Sequence, residues 1–344
     1  MSAKKLVLLI TLLLVIIGGF LTFNLYNKIY APNTSKEGYL YIPTNSSMEQ
    51  VEDSLRPFLK RVKPFVWVAG LKNYSNTIKP GKYFISKDLS NNDLVDLLRS
   101  GNQTIVKLSF NNQDNLKKLA GRIAEQIEAD SIDLLASMSD NSFVNASGFS
   151  KHTAIGMYVP NTYAFYWNTS ADAFRERMYK EYNNFWNANR LEQSKKQQLS
   201  KTEVITLASI VQKETALVEE RAIVAQLYLN RLHHNWPLQA DPTIVFALKK
   251  ASKNDVVIKR VLTKDLSIDS PYNTYINLGL PPGPIAMPDI SSIDAVLNPS
   301  KHKYYYMCAS STRLGSHEFS ETLSQHNRNA KKYQTWLNKQ GINR

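Results

Sequence analysis

Leu6 to Phe23 is an unbroken run of 18 residues without a charge, preceded by Lys4 and Lys5. As a helix it would span roughly 27 Å, close to the hydrocarbon thickness of a bilayer. Its backbone polar groups would all be satisfied internally, as a membrane interior demands. A cleavable leader would have a shorter apolar stretch and a small-x-small site, and Asn24-Leu25-Tyr26-Asn27-Lys28 offers none. The expectation is an uncleaved anchor over residues 6–26, with residues 1–5 in the cytoplasm. Lys4, Lys5 and the amino terminus favour that orientation, with Lys28 a weaker counterweight. The remainder of the chain would then lie outside the cytoplasm, which largely removes nucleic acid from the list of partners.

The formal charge of +13, from 42 Lys and Arg against 29 Asp and Glu, favours anionic partners or a solvated basic surface. Hydrophobic residues make up 43% of the 344, enough for packed domains. Cys308 is the single cysteine, so neither an intramolecular disulfide nor a cysteine-based metal site can form. There is no His-Glu-x-x-His or His-x-x-x-His spacing either, so no metal and no cofactor is expected.

Ala31-Pro32-Asn33-Thr34-Ser35 reads as part of a linker over residues 27–37. Gly38 to Pro43 then alternates as a strand, and Ser46-Ser47-Met48-Glu49 opens a helix through Val51, Leu55 and Phe58. A strand at Ile78 to Ile85 and a helix from Asn92 to Arg99 follow. The strand-helix theme recurs from Ile105 through Ile127. Short units of this kind predict an α+β subdomain over residues 38–150, either a spacer or a glycan-binding fold. A second α+β domain, residues 151–344, contains helices from Ala171 and from Ser200. It also contains a hairpin around Tyr304 to Phe319 and a closing helix near Leu323 to Leu337.

In the helix Thr202 to Leu217, Val204, Leu207, Ala208, Val211, Thr215 and Val218 share one stripe at helical spacing. Glu214 falls on the edge of that apolar face. The positions three and four residues away are Ile210, Val211, Leu217 and Val218, so no helical ion pair is available. A carboxyl in apolar surroundings holds its proton more tightly, which suits a general acid. The alternative is a helix-edge Glu reaching solvent, Arg221 or Arg231. Downstream come Asn230-Arg231-Leu232, Leu238-Gln239-Ala240-Asp241-Pro242-Thr243, Tyr272-Asn273-Thr274-Tyr275 and Gly279-Leu280-Pro281-Pro282-Gly283-Pro284-Ile285. Neutral donors and acceptors interleaved with aromatic faces suit a sugar groove, although each could equally shape a turn.

These four segments, together with Ala208-Ser209-Ile210-Val211-Gln212-Lys213-Glu214-Thr215, resemble the MltG/YceG-like family of endolytic murein transglycosylases. His317-Glu318-Phe319 and His326-Asn327 are similar to the family's C-terminal pattern. The resemblance implies a membrane-tethered, periplasm-facing lyase with a LysM-like subdomain before the catalytic domain, and Glu214 as the catalytic residue. It further implies cleavage of the MurNAc–GlcNAc β-1,4 bond of peptidoglycan to leave 1,6-anhydroMurNAc ends, terminating nascent strands. Asn230, Gln239, Asp241, Thr243, Tyr272 and Asn273 are the candidates for substrate binding, glycan strands the expected partner, and peptidoglycan synthases candidate partners. One departure stands out. The family commonly has an acidic residue and Gly before a Pro-Asp-Thr-aromatic stretch, where this chain has Ile155-Gly156 and Pro160-Asn161-Thr162-Tyr163. The rival reading is a tethered, non-catalytic wall-binding protein; a hydrolase would differ only in its product.

Overall fold

The computed structural model describes residues 2–252, 257, 258 and 260–340. The chain forms a mixed α+β protein. It divides into two compact units, residues 1–108 with 126–129 and 163–170, and residues 109–125, 130–162 and 171–344.

The first unit opens with α1 (Ala3–Tyr30), long and apolar enough to cross a membrane and with no residue of its apolar window buried against protein. β1 (Gly38–Ile42), α2 (Met48–Leu55), α3 (Val62–Leu71) and β2 (Gly81–Ile85) follow, then α4 (Asn91–Ser100). β1 and β2 pair antiparallel with Leu40 opposite Tyr83. Ser47 and Gln50 form a reciprocal capping box at the start of α2, satisfying two otherwise orphaned groups. Gly101 ends α4 in the left-handed conformation at φ +72°, which a side chain would disfavour. Leu40, Ile42, Val51, Leu55, Phe65, Tyr83 and Leu94 close a single core.

The stretch expected as a linker is packed into that core's edge. Asn33 and Thr34 are 2% and 0% exposed. Asn33 donates from Nδ2 to the Arg61 carbonyl and to Asn91 Oδ1, both at 2.7 Å, and accepts from Arg61 N at 3.0 Å. Asn91 in turn donates to the Lys28 carbonyl near the end of α1 at 2.7 Å. Polarity marked these residues as surface loop, but their side chains satisfy backbone groups that would otherwise be buried without partners.

β3 (Val106–Phe110) is hydrogen-bonded to β4 (Asn161–Phe165), and the boundary between the units falls inside both strands. Between them lie α5 (Leu116–Ala124), α6 (Ser131–Met138) and α7 (Asn141–Ala146). The second unit continues through α8 (Ala171–Phe185), α9 (Ala188–Lys196), α10 (Lys201–Glu214), α11 (Val218–His233), α12 (Asp241–Ala251) and α13 (Ile290–Leu297). An antiparallel hairpin, β5 (Tyr306–Ala309) with β6 (His317–Ser320), precedes α14 (Leu323–Lys339). α10 is the centre of this unit, packed against α11, α12 and α13.

Replacing Asn33 with Ala would remove the partners of the Arg61 amide and carbonyl and of the buried Asn91 Oδ1. A loss of about 2–3 kcal/mol is expected, seen as a lower thermal midpoint of the detergent-solubilised chain. An unchanged midpoint would show that this side chain holds nothing.

Candidate active site

α10 begins with a capping box between Ser200 and Glu203 and then buries eight consecutive residues, Val204 to Val211. The sequence pattern suggested one buried face; the helix is enclosed on all sides, and its polar members serve the enclosure. Ser209 Oγ donates to the Thr206 carbonyl and accepts from the Ile285 amide at 3.0 Å, tying the Gly-Leu-Pro-Pro-Gly loop to α10. Gln212 Oε1 accepts from Asp289 N at 3.1 Å and Ser292 Oγ at 2.7 Å, fixing the start of α13. Two glycines permit this approach. A Cβ on Gly156 would sit 3.0 Å from Ile205 Cγ2, and one on Gly283 would collide with the His152 carbonyl.

The helix stops at Glu214, three residues short of the Leu217 expected from its sequence. Thr215 is extended, at φ −133° and ψ 134°. Its hydroxyl donates to Glu220 Oε2 at 3.2 Å and accepts from Leu217 N at 3.1 Å, a local alternative to another helical turn. Glu220 is itself buried and accepts from the His317 amide and Nδ1, both at 2.9 Å. The His317-Glu318-Phe319 segment therefore anchors the residue that follows Glu214. Val218, expected on the buried stripe, is exposed because the helix has ended before it.

Glu214 keeps some residue surface, yet its Oε2 has essentially none and finds no hydrogen-bond partner among the described residues. The Tyr228 hydroxyl, brought alongside by α11, is likewise buried and without a partner in hydrogen-bond geometry. Burial pushes the Glu214 carboxyl up to about 7, with the nearby Asp241 carboxylate adding to the rise; Tyr228 and Arg231 oppose it. Burial also drives the Tyr228 hydroxyl well above its ordinary value, with Glu214 as the second cause. The arginines that could have neutralised Glu214 are engaged elsewhere. Arg221 pairs with Asp289 at 3.1 Å, and Arg231 donates to the Tyr305 and Leu238 carbonyls at 2.8 and 2.6 Å. A carboxyl with this affinity is part protonated and part ionised near neutrality, the condition for general acid and base work.

A groove of about 810 Å³ lies within the second unit, lined by Lys213, next to Glu214 in sequence, and by Asp241, which acts on it, but not by Glu214 itself. Asp241, Pro242, Val245, Phe246, Lys249 and Lys250 form one helical face of α12 along it, with Lys213, His152, Ile155 and Tyr272 on other sides. Asp241 is exposed and accepts from the Tyr275 hydroxyl at 2.5 Å. Tyr272 is buried in the groove wall, its hydroxyl 3.3 Å from His152 Nδ1 and its ring 4.6 Å from Phe246. The other four candidates are placed differently. Asn230 Nδ2 donates to the His302 and Tyr304 carbonyls, and Asn273 Nδ2 to those of Leu266 and Ile268. Thr243 is buried against the Ala240 carbonyl and Thr274. Gln239 is exposed, with a left-handed φ of +48°. Tyr228, Tyr275 and His152 were not singled out from sequence, although Tyr275 sits within the Tyr272-Asn273-Thr274-Tyr275 segment. Among the described residues no three His, Cys, Asp or Glu side chains group as metal ligands.

The chain belongs to the YceG-like family, whose family model matches residues 40–332. It is 31% identical over 340 residues to the endolytic murein transglycosylase of Bacillus subtilis strain 168, covering 92% of this chain and 91% of that one. It is 26% identical over 358 residues to the endolytic murein transglycosylase of Streptococcus pneumoniae serotype 2 strain D39, covering 93% of this chain and 63% of that longer protein. A crystal structure of a YceG-like protein from Listeria monocytogenes matches with a TM-score of 0.57 at 28% identity, over 85% of this chain and 98% of that one.

The raised affinity of Glu214 carries a stability signature. Its folded-state value of about 7 lies above the ordinary 4.5, so the folded chain holds the extra proton in that interval. The contribution to stability is full below about 4.5 and is lost as pH rises through about 7. Glu214→Gln removes the ionised burial and is expected to stabilise the protein at pH 8 by up to about 3 kcal/mol. The gain should fade toward pH 5 in thermal melts, and a pH-independent difference would contradict the burial of an uncompensated carboxylate.

Proposed function

We propose that this chain is an endolytic peptidoglycan lytic transglycosylase, working outside the cytoplasm from a single-pass anchor formed by α1. The observation that carries the reading is the Glu214 carboxyl: buried, without a salt bridge among the described residues, pushed up to about 7, and next to Lys213 and Asp241, which line a groove large enough for a polymer segment. The names of the Bacillus and Streptococcus relatives support the substrate class.

In this reading protonated Glu214 delivers its proton to the glycosidic oxygen between MurNAc and GlcNAc, and the C1–O bond breaks with oxocarbenium-like charge on the muramyl ring. The Glu214 carboxylate then takes the proton of the muramyl C6 hydroxyl. That oxygen closes on C1, giving the 1,6-anhydro end and restoring the acid. Asp241, braced by Tyr275, is exposed in the groove where negative charge would stabilise the cationic ring. Tyr272, buried against Phe246, backs the groove wall. Gln239 is free to meet glycan, while Asn230, Thr243 and Asn273 act through the backbone they brace. Cleavage of this kind in the membrane-proximal wall would terminate nascent strands, and peptidoglycan synthases would be the natural neighbours.

A basic N-terminal flank at Lys4 and Lys5 supports a cytoplasmic N-terminus, which on the bacterial inner membrane would leave the chain after α1 in the periplasm. The β1-α2-α3-β2 order, with its strands paired antiparallel, supports a LysM-like reading of the first unit.

The test is un-crosslinked glycan strands incubated with detergent-solubilised protein and analysed by mass. Anhydro-ended fragments are expected from the parent, with Glu214→Gln slower by at least about 10²-fold. Binding without cleavage would favour a wall-binding protein, and fragments heavier by one water a hydrolase; either would overturn the proposal.

A further inference from the structure

The groove beside Glu214 is far more basic than a neutral sugar chain requires. Among its described lining residues are seven Lys and Arg side chains against two carboxylates, Asp114 and Asp241. Asp114 is occupied, held by Lys118 and Lys213 at 2.8 Å each, and those contacts draw its carboxyl below the usual range. Lys117, Lys151, Lys249 and Lys250 are exposed, and no carboxylate among the described residues pairs with them. Lys250 stands 4.7 Å above the Tyr272 ring, which keeps its ammonium poised over the groove.

The charges are also ordered in space. Asp241, which raises the Glu214 affinity, begins α12; Lys249 and Lys250 follow on the same helical face, roughly 12 Å further along at about 1.5 Å per residue. Lys213, next to Glu214 in sequence, is held by Asp114, whereas Lys249 and Lys250 have no carboxylate partner among the described residues and Lys250 lies over the Phe246 and Tyr272 rings. The cations come from α5, α10, α12, the loop at Lys151 and Arg260, and both Lys151 and Lys250 act on His152.

We propose that the far end of this groove is a carboxylate subsite that recognises the peptide side chains carried by the glycan, so that the protein selects peptide-bearing strands over stripped ones. The inference rests on the glycan-cleaving reading of the site and adds a specificity determinant to it. The sugars lie toward Glu214 while the peptide carboxylates meet Lys151, Lys249 and Lys250, an attraction weakened by salt.

The experiment uses full-length protein in detergent carrying Glu214→Gln, so that binding is measured without turnover. Fluorescent strands with intact peptides are compared with strands stripped of them, in the presence and absence of Lys151→Gln, Lys249→Gln and Lys250→Gln together. The triple change is expected to weaken binding of peptide-bearing strands about tenfold and to abolish its salt dependence, leaving stripped strands unaffected. In the otherwise wild-type chain the same change should raise KM for peptide-bearing strands with kcat preserved. Equal loss on both strands, or none, would overturn the proposal. So would inorganic pyrophosphate competing as strongly against stripped as against peptide-bearing strands, which would mark a phosphate site. Should the wild-type chain cleave neither strand, the enzymatic reading falls while the binding comparison still decides the subsite.

Discussion

A carboxyl group buried without a counter-ion is the constraint on which the second unit depends. An isolated carboxylate in the interior costs several kcal/mol, and a protein avoids the cost by adding a partner or by keeping the proton. Here Arg231, which opposes the rise, is committed to two carbonyls, and Arg221 is paired with Asp289, so burial raises the proton affinity. The enclosure follows from the same requirement. α10 hides Val204 to Val211 on every side, and its polar side chains Ser209 and Gln212 fasten the Pro-rich loop and α13 that complete the wall. Thr215, Glu220 and His317 then hold the chain just past Glu214, where a frayed helix end would let water reach the carboxyl.

Elements with local causes were legible in the sequence. Capping residues, the Gly101 stop, the β5–β6 hairpin and the uncharged run of α1 all depend on neighbours within a few positions. The suspicion about Glu214 was of this kind too, since it needed only helical spacing and the absence of a basic residue one turn away. What set its chemistry was not local. Tyr228 and Arg231 arrive on α11 and Asp241 on α12, and no periodicity within α10 reports their approach. The stripe also understated burial, because a helix surrounded by three others can hide Thr206 and Ser209 as well as Leu207. Asn and Thr misled in both directions for one reason: their short polar side chains serve backbone as readily as ligand. Asn33 and Thr34 thus proved to be interior braces in an apparent linker, and Asn230 and Asn273 hold loops by their carbonyls.

Charge was illegible for a related reason. An excess of +13 spread over 344 residues looks like a solvated surface. Folding gathers Lys117, Lys151, Lys213, Lys249 and Lys250, separated by up to 133 positions, around one groove.

The missing acidic residue at Ile155 takes its meaning from this arrangement. Ile155 lines the groove and is nearly buried. The second carboxylate that acts on Glu214 comes instead from α12, as Asp241, and it raises the proton affinity. A further carboxylate at position 155 would add another like charge to the same groove and push Glu214 higher still. An acid far above 7 would hold its proton but seldom become the base that must take one back. With Ile at 155 and one carboxylate neighbour, Glu214 rests near 7, where both forms are populated. A single residue that first gives a proton and then recovers one has most use for that balance, so the departure from the family pattern is compatible with catalysis by Glu214 alone.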